Sequence, residues 1–365
     1  MKRCYQVVGE WMKAAGLSVS IDNAGNLRGV RSGVVPGKRV FLMGSHLDTV
    51  RDAGAFDGIL GVILAIAVVE NLPNVPLPFD IEVIGFSEEE GVRFNLPFIG
   101  SRALVETLDE HAVAVISPAL REFGLDPAKI SDVKLKTPPI GFLEFHIEQG
   151  PILEHVNESV GLVDAIAGQT RATLKFTGSA NHAGTTPMHL RQDALAAGAQ
   201  WITIVEHIAC TTPNLVATNG KIELQPNLGN VIPGEVTVSL DVRHSDDEVR
   251  ENACALLRHS AAHIAAERML TLSWTETLNQ RSVPMNDSLT RKLETAAPQG
   301  IRRMVSGAGH DAMILAPYIP SAMLFLRSPG GISHHPAESV LPQDVDLALS
   351  IGQRFIESLA IEYKS

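Results

Sequence analysis

Short runs of consecutive apolar residues recur along the first 168 residues of the chain and predict buried strands. They cover residues 40–43, 81–86 and 142–147, and stretches with helical periodicity separate them. The stretch from residue 58 to 72 is apolar almost throughout, which favours a buried helix. Because strands that alternate with helices are typical of βα units, this part is predicted to be α/β with a mostly parallel sheet.

The pattern changes after residue 168. Residues 173–177 and 236–242 alternate apolar and polar side chains, as half-exposed strands do, and long helical patterns cover residues 191–210 and 246–268. Two βαβ-like halves would build a small α+β domain from these elements.

The last part of the chain returns to the pattern of the first, with a helix over 287–296, an apolar strand over 322–326 and an amphipathic helix over 343–363. We therefore predict an α/β fold in which residues 1–168 and 279–365 form one discontinuous domain, its central sheet flanked by helices. Residues 169–278 would form an inserted α+β domain.

The composition narrows the classes of partner. The 365 residues include 30 basic and 41 acidic side chains, a net charge of −11, and no lysine or arginine cluster interrupts the acidic surplus. This charge balance argues against nucleic acid or an anionic membrane surface as a binding partner and favours a small-molecule or peptide substrate. The longest apolar stretch, residues 59–69, is shorter than the roughly 20 residues that span a bilayer.

The cysteines indicate the compartment. Cys4, Cys210 and Cys254 are scattered and form no CxxC pair, so neither a disulfide framework nor a thiolate zinc site is indicated. No apolar signal-peptide core follows the first charged residues. We therefore expect a cytoplasmic protein.

Residues that commonly bind metals follow four of the predicted strands. They are His46 with Asp48, the run Glu88 to Glu90, His146, and His334 with His335. In open α/β sheets, ligands collect at the carboxyl ends of the strands, so we expect these side chains to meet. Asp57, which opens the helix after the first strand, would join them.

Two divalent ions about 3.5–4 Å apart need a bridging carboxylate, flanking ligands and a base that can deprotonate water. Asp57 is the candidate bridge. His46 and a late histidine would complete one ion, and Glu90 with His146 or His334 the other.

Two further residues would support these ligands. Asp48 is placed to accept the second ring N–H of His46, and Glu89 would be the general base. Taken singly, the residues have simpler interpretations: Asp57 as a helix N-cap, the glutamate run as a solvated loop, His146 as a hydrogen-bonded strand end. Four strands that each end in histidine or carboxylate favour the metal site.

Seven strings carry a family resemblance over nearly the whole chain. They are GSHLDTV at 44–50, GAFDG at 54–58, EEGVRF at 89–94, HIEQGP at 146–151, HAGTTPM at 182–188, GAGHDA at 307–312 and GISH at 331–334. The chain resembles the hydantoinase/carbamoylase branch of the dinuclear-metal aminoacylase and carboxypeptidase superfamily. The resemblance implies a metal-dependent amidohydrolase that cleaves an N-carbamoyl-L-amino acid, allantoate or ureidoglycolate.

The resemblance also implies the ligand set of two divalent ions per subunit: His46, Asp57, Glu90, His146 and His334. Asp57 would bridge, His146 would share the ion of His46, and Glu89 would be the base. Zn²⁺ suits these ligands, although Mn²⁺, Co²⁺ or Ni²⁺ would be accepted. Relatives often have Asn where this chain has His335, so a ligand shifted by one position stays an alternative to His334.

The inserted domain is implied to form a homodimer and to close over the metals as a lid. His182 would stabilise the oxyanion in the partner subunit's active site, although a histidine on such a turn is also a common structural residue. Gln149 and Asn230 are the implied amide contacts to the substrate. Members of the family begin with a longer N-terminal stretch, which could cover the substrate or complete the first helix.

Arg243 is implied to grip a substrate carboxylate bidentately. The alternative is a salt bridge with Asp241 or Asp246 at the strand edge. Gly309 and His310 lie in a glycine-rich loop that could present N–H groups to an anionic substrate or be a plain turn.

Two rival functions remain. A dipeptidase or N-acyl aminoacylase would use the same metals on an amide bond, but the strings HIEQG and GAGHD favour the carbamoylase branch. A catalytically inactive dimeric binding protein would keep the fold, but candidates for all five ligands and the base are intact.

Overall fold

The computed structural model describes residues 1–73, 77–135 and 137–364. They divide into two compact units, one made of Met1–Ile166 with Pro284–Ser365 and the other of Ala167–Val283. The boundary expected after residue 278 lies inside a strand that continues to Gln280, so the second unit extends further than the pattern indicates.

The strands of the described residues, numbered in chain order, are β1 (Ser18–Ile21), β2 (Leu27–Arg31), β3 (Val40–His46), β4 (Asp80–Phe86), β5 (Gly141–Ile147), β6 (Val160–Ile166), β7 (Gly168–Thr177), β8 (Asn181–His182), β9 (Val216–Thr218), β10 (Ile222–Gln225), β11 (Val231–Ile232), β12 (Glu235–His244), β13 (Thr271–Gln280), β14 (Val283–Pro284), β15 (Arg302–Ser306) and β16 (Ser321–Leu326). The helices are α1 (Lys2–Ala14), α2 (Ile59–Asn71), α3 (Ile99–Leu104), α4 (Glu110–Phe123), α5 (Ile152–His155), α6 (Ala194–Thr211), α7 (Asp247–Glu267), α8 (Asp287–Ala296), α9 (Asp311–Leu315) and α10 (Pro342–Glu362). Each strand and helix that the apolar pattern predicts is present, and most have shifted ends, whereas α8 has the predicted bounds.

The sheet of the first unit has the order β1-β2-β4-β3-β5-β16-β6-β14, and β15 pairs with β6. Its central ladders, β4 with β3, β3 with β5 and β5 with β16, are parallel, so the predicted mostly parallel sheet is confirmed. Each residue of these four strands is buried, as expected of strands covered on both faces. Parallel strands end at the same edge of a sheet, which brings the residues after β3, β4 and β5 together.

Helix α2 lies directly on the sheet beside that edge. A side chain at Gly61 would strike the carbonyl oxygen of Phe145, so only glycine lets α2 approach β5 this closely. On the same side of the sheet, Phe41 packs edge-on against Phe355 of α10, with ring centroids 5.7 Å apart. The packing of α2 places its first turn, and therefore Asp57, beside the ends of β3 and β5.

The second unit is built on the sheet β10-β12-β7-β13, with β9 paired to β12. All of its described ladders are antiparallel, and because β7 and β10 both run antiparallel to β12, these two strands are parallel to each other and are connected through α6. Likewise β12 and β13 both run antiparallel to β7 and are connected through α7, so the domain contains the two expected βαβ-like halves, each with a strand of the other half between its own two strands. Helices α6 and α7 cover one face, where the buried Trp201 indole donates to the carbonyl of Leu257 at 3.0 Å.

Within the described part of the chain, none of the helices has the length and apolar character needed to cross a bilayer. The most apolar of them, α2, has 13 residues. Cys4, Cys210 and Cys254 are all free thiols.

Candidate metal centre

His46 ends β3 and His146 lies on the neighbouring strand β5, and their Nε2 atoms face each other at 3.4 Å. The Nδ1 atom of His46 lies 2.9 Å from the carbonyl oxygen of Asp48, and that of His146 lies 2.9 Å from the carbonyl oxygen of Ile147. A carbonyl only accepts, so each Nδ1 carries a proton, and each ring presents a lone pair at Nε2 whenever it is neutral. Two such lone pairs repel unless a cation or proton lies between them.

Asp57 stands just before α2 and directs its two carboxylate oxygens to different partners. Its Oδ1 lies 3.6 Å from His46 Nε2 and 3.2 Å from His146 Nε2, whereas its Oδ2 lies 3.2 Å from His334 Nε2. Donors around one tetrahedral zinc ion, each about 2.0–2.1 Å from the metal, are about 3.4 Å apart. The first three donors therefore fit a single ion, and the second oxygen is placed to bind another.

The second group of donors is Asp57, Glu90 and His334. Glu90 Oε1 lies 3.8 Å from His334 Nε2, and this oxygen is buried without a hydrogen-bond partner among the described residues. An unsatisfied buried acceptor is costly unless a cation or a solvent molecule completes it. The donor set therefore fits a second divalent ion.

The electrostatics of these donors also favour bound cations. Burial, followed by the charge of Asp57, raises the pKa of Glu90 to about 7. Burial would also raise the pKa of Asp57, but the hydrogen bond and charge of His146 hold it well below its usual range. The pKa of Glu89 is raised well above its ordinary value by burial and then by Asp311 and Glu90. The cluster thus holds more carboxylates than can ionise together without added positive charge.

His334, not His335, faces Asp57. The Nδ1 atom of His335 instead accepts the backbone N–H of Ala337 at 3.1 Å. The side chain of His334 is 49% exposed, whereas those of the two strand histidines are buried. One of the two ion positions is therefore much more open than the other.

The Gln149 side chain lies at the open position. Its amide nitrogen donates to Asp57 Oδ2 at 3.2 Å and lies 3.4 Å from His334 Nε2. Gln149 and His334, together with Glu88, have positive φ values of 58°, 55° and 52°. Non-glycine residues pay about 1–3 kcal/mol for such conformations, and they cluster at functional sites.

Asp48 does not make the hydrogen bond expected of it. Its carboxylate Oδ1 is 3.9 Å from His46 Nδ1, and the ring is held by the Asp48 backbone carbonyl instead. The carboxylate accepts the backbone N–H groups of Glu89 at 3.0 Å and Glu90 at 3.1 Å, which lie in the loop after the adjacent strand β4. These two N–H groups occupy both carboxylate oxygens, so Asp48 orients the glutamate loop rather than the imidazole.

Glu89, the candidate base, is 6% exposed, and its Oε2 lies 3.8 Å from His46 Nε2. After burial, the charge of a second buried acid, Glu144, also raises the pKa of Glu89, and this residue was not predicted from the sequence. Glu144 on β5 accepts the Ser45 hydroxyl at 2.8 Å and the backbone N–H of Ala312 at 2.8 Å. The only sequence signal is an acidic residue inside an apolar strand, two positions before His146 and thus on the same face of the sheet.

The glycine-rich loop puts its two predicted contacts in different places. Gly309 is exposed, whereas the His310 ring is buried 4.4 Å from the His146 ring, with its Nε2 2.8 Å from the Ser306 hydroxyl. Burial holds the pKa of His310 well below its ordinary value. Contact of either residue with substrate stays a prediction.

Comparison with known proteins agrees with this geometry. Residues 42–358 match the family described as peptidase family M20/M25/M40. The chain belongs to this family.

Named relatives place the chain within the family. It is 37% identical to allantoate deiminase 2 of Glycine max, over 98% of this chain and 83% of the relative. It is also 37% identical to the N-carbamoyl-L-amino acid amidohydrolase of Geobacillus stearothermophilus, over 98% of this chain and 91% of the relative. A solved hydantoinase/carbamoylase family amidase from Burkholderia multivorans has a TM-score of 0.92 and 32% identity, covering 97% of this chain and 89% of that one. The resemblance predicted from the seven strings is confirmed.

The M20 chain carries three of its predicted site residues in the second unit. His182 on β8 is exposed, and its Nδ1 accepts the backbone N–H groups of Gly184 at 3.0 Å and Thr185 at 3.2 Å. The neutral ring therefore carries its proton on Nε2. Asn230 is adjacent, because its carbonyl accepts the N–H of Ala183 at 3.0 Å. The substrate roles of both residues stay predictions.

Arg243 makes the salt bridge that was the alternative to a substrate contact. Its Nε and Nη2 donate to the two carboxylate oxygens of Asp241 at 2.9 and 3.1 Å. Asp241 also accepts from Gln169 at 2.6 Å and from Arg171 at 3.0 Å. Burial opposes ionisation, but the hydrogen bond and charge of Arg243 lower the pKa of Asp241. Arg243 is thus oriented before any substrate arrives.

Gly58 provides a test of the metal centre in this M20 protein. Its φ is 69°, and a side chain there would strike the imidazole of His46. We predict that Gly58→Ala displaces the ring and weakens metal binding roughly 10–100-fold, measured by titrating the apoprotein with Zn²⁺.

Gly16 is the matched control, because it also has a positive φ, of 83°, but no atom near the position of an added side chain. Gly16→Ala should cost about 1 kcal/mol in stability and leave metal binding unchanged. Equal metal affinity in the two variants would show that His46 does not bind the ion.

Proposed function

We propose that the protein is a metal-dependent amidohydrolase that cleaves the carbamoyl or ureido C–N bond of a small, carboxylate-bearing substrate. N-carbamoyl-L-amino acids, allantoate and ureidoglycolate are the candidate substrates. One observation carries the proposal: the two oxygens of Asp57 face two separate groups of donors, each able to hold one ion. The named relatives act on allantoate and on N-carbamoyl-L-amino acids, which supports the substrate class.

Five residues would hold two divalent ions in each subunit. His46 and His146 would bind one, Glu90 and His334 the other, and Asp57 would bridge them. Zn²⁺ fits this donor set best, and Mn²⁺, Co²⁺ or Ni²⁺ fit the same ligands. When bound, the ions would polarise the substrate carbonyl and make water easier to deprotonate.

Glu89 would move the proton. Its carboxylate takes a proton from water as the water oxygen bonds to the substrate carbonyl carbon, and the carbonyl π electrons move to its oxygen. When the C–N bond breaks, Glu89 gives that proton to the leaving nitrogen. The released carbamic acid decomposes to ammonia and carbon dioxide. Burial of Glu89 excludes bulk water, which strengthens its interactions with the reacting atoms.

Residues of the second unit would bind and orient the substrate. The exposed Nε2–H of His182 suits donation to the carbonyl oxygen as negative charge develops there. We propose that this histidine acts in the active site of the partner subunit, in a homodimer formed through the inserted domain, which closes as a lid. Arg243, oriented by Asp241, would bind the substrate carboxylate, with Asn230 and Gln149 at its amide groups.

A substrate panel tests the function directly. Zinc-loaded protein should release ammonia from at least one of the three candidate substrates, and removal of metal by a chelator should abolish the activity. Hydrolysis of dipeptides or N-acyl amino acids without ammonia release from any candidate would favour the peptidase side of the family instead.

We also propose a cytoplasmic location, because the three cysteines are free thiols, as is usual in a reducing compartment.

Glu89→Gln tests the proposed base. Glutamine keeps the size of the side chain but cannot accept the proton, so we predict a loss in kcat of about 10²–10⁴-fold with unchanged metal content. Glu88→Gln is the control, because it makes the same chemical change one residue away in the same loop. A Glu89→Gln rate near that of the wild type would exclude Glu89 as the base.

Arg243→Ala tests the carboxylate contact. We predict that it raises KM for carboxylate-bearing substrates about tenfold or more, with a smaller effect on kcat. Arg171→Ala is the matched control, because Arg171 also binds Asp241 through its guanidinium. If the two variants change KM equally, the contact is not specific to Arg243.

A further inference from the structure

Glu338 joins two loops of the candidate metal centre that are far apart in the sequence. Its carboxylate is buried, with the residue 5% exposed, and Oε1 accepts the backbone N–H groups of Phe56 and Asp57, both at 3.0 Å. Its other oxygen, Oε2, accepts the hydroxyl of Ser333 at 3.1 Å. Glu338 therefore binds the backbone of one candidate ligand and the residue that precedes another, His334.

The loop before Asp57 packs directly against this carboxylate. A side chain at Gly54 would overlap Cβ and Oε1 of Glu338, so the close approach requires glycine. The backbone N–H of Glu338 in turn donates to the carbonyl oxygen of His335 at 3.0 Å, which closes the turn that follows His334. Glu338 is thus held both at its side chain, by the loop before Asp57, and at its backbone, by the turn after His334.

The two ion positions differ in what supports them. His46 and His146 stand on β3 and β5, which are joined by a parallel ladder within a buried sheet. His334 stands on a loop, has a left-handed backbone conformation and is half-exposed. Its 3.2 Å approach to Asp57 Oδ2 depends on the relative position of two loops, and Glu338 contacts both.

We propose that Glu338 is a positioning residue that sets Asp57 and His334 at ligand distance and so assembles the ion site of Asp57, Glu90 and His334. This inference rests on the proposed metal-dependent function. Glu338 would not contact the ion itself. It acts through two backbone N–H groups and one hydroxyl.

The test is a pair of titrations of the apoprotein. Binding of Zn²⁺ is measured by calorimetry, and binding of Co²⁺ is measured by the visible absorption of the bound ion. The wild type should bind two ions. Glu338→Ala should weaken the site of Asp57, Glu90 and His334 by about 10–100-fold and leave the other within about threefold, because both sites share Asp57 but the other keeps His46 and His146 on the buried sheet. Glu338→Gln keeps a carbonyl oxygen for the two N–H groups and should recover most of the lost affinity.

Asp80 provides the matched control. It is 7% exposed and also accepts two backbone N–H groups, from Gly33 at 2.6 Å and Gly37 at 2.7 Å, but it begins β4, at the end opposite to the Glu89 loop. Asp80→Ala should lower the melting temperature without changing the binding of either ion. Should Glu338→Ala fail to fold, Ser333→Ala removes one bond of the same network and should weaken the same site by a smaller factor.

The outcomes separate the inference from the function on which it rests. Two wild-type ions with unchanged affinities in Glu338→Ala, or equal losses at both sites, overturn the positioning role alone. A wild-type protein that binds no divalent ion overturns the proposed function as well.

Discussion

The carboxylate of Asp57 is the group on which the arrangement of the site depends. One oxygen faces two histidines from neighbouring strands, and the other faces a histidine from a loop near the end of the chain. Such sharing requires the first turn of α2 to lie at the carboxyl edge of the sheet. The fold meets this requirement through glycines: Gly61 lets the helix rest on β5, and Gly58 leaves room for the His46 ring.

Bringing these donors together costs free energy that the rest of the structure must offset. Several buried carboxylates lie close together, and their burial, followed by their mutual repulsion, raises the pKa values of Glu89 and Glu90. A second set of carboxylates, among them Asp48 and Glu338, holds the ligand-bearing loops through backbone N–H groups. Divalent cations would neutralise the first set, while the second keeps the loops in position before any ion binds.

The sequence was sufficient to predict much of this architecture, because strands buried on both faces are continuous apolar runs. The same runs located the candidate ligands, since His46 and His146 lie at strand ends and Asp57 precedes a helix. The sequence did not indicate that the two βαβ-like halves of the inserted domain interleave their strands, because alternation of apolar and polar residues does not reveal which strands are neighbours. The partners of Asp48 and Glu338 were also missed. The bond from Asp57 to Glu338 spans 281 residues, and no local pattern records such a contact.

Diffraction from crystals of the zinc-loaded protein, collected at the zinc absorption edge, would show whether Asp57 bridges two ions. We predict two anomalous peaks, one beside Asp57 Oδ1 with His46 and His146, the other beside Oδ2 with Glu90 and His334. A single peak, or two peaks that do not share Asp57, would contradict this bridging role.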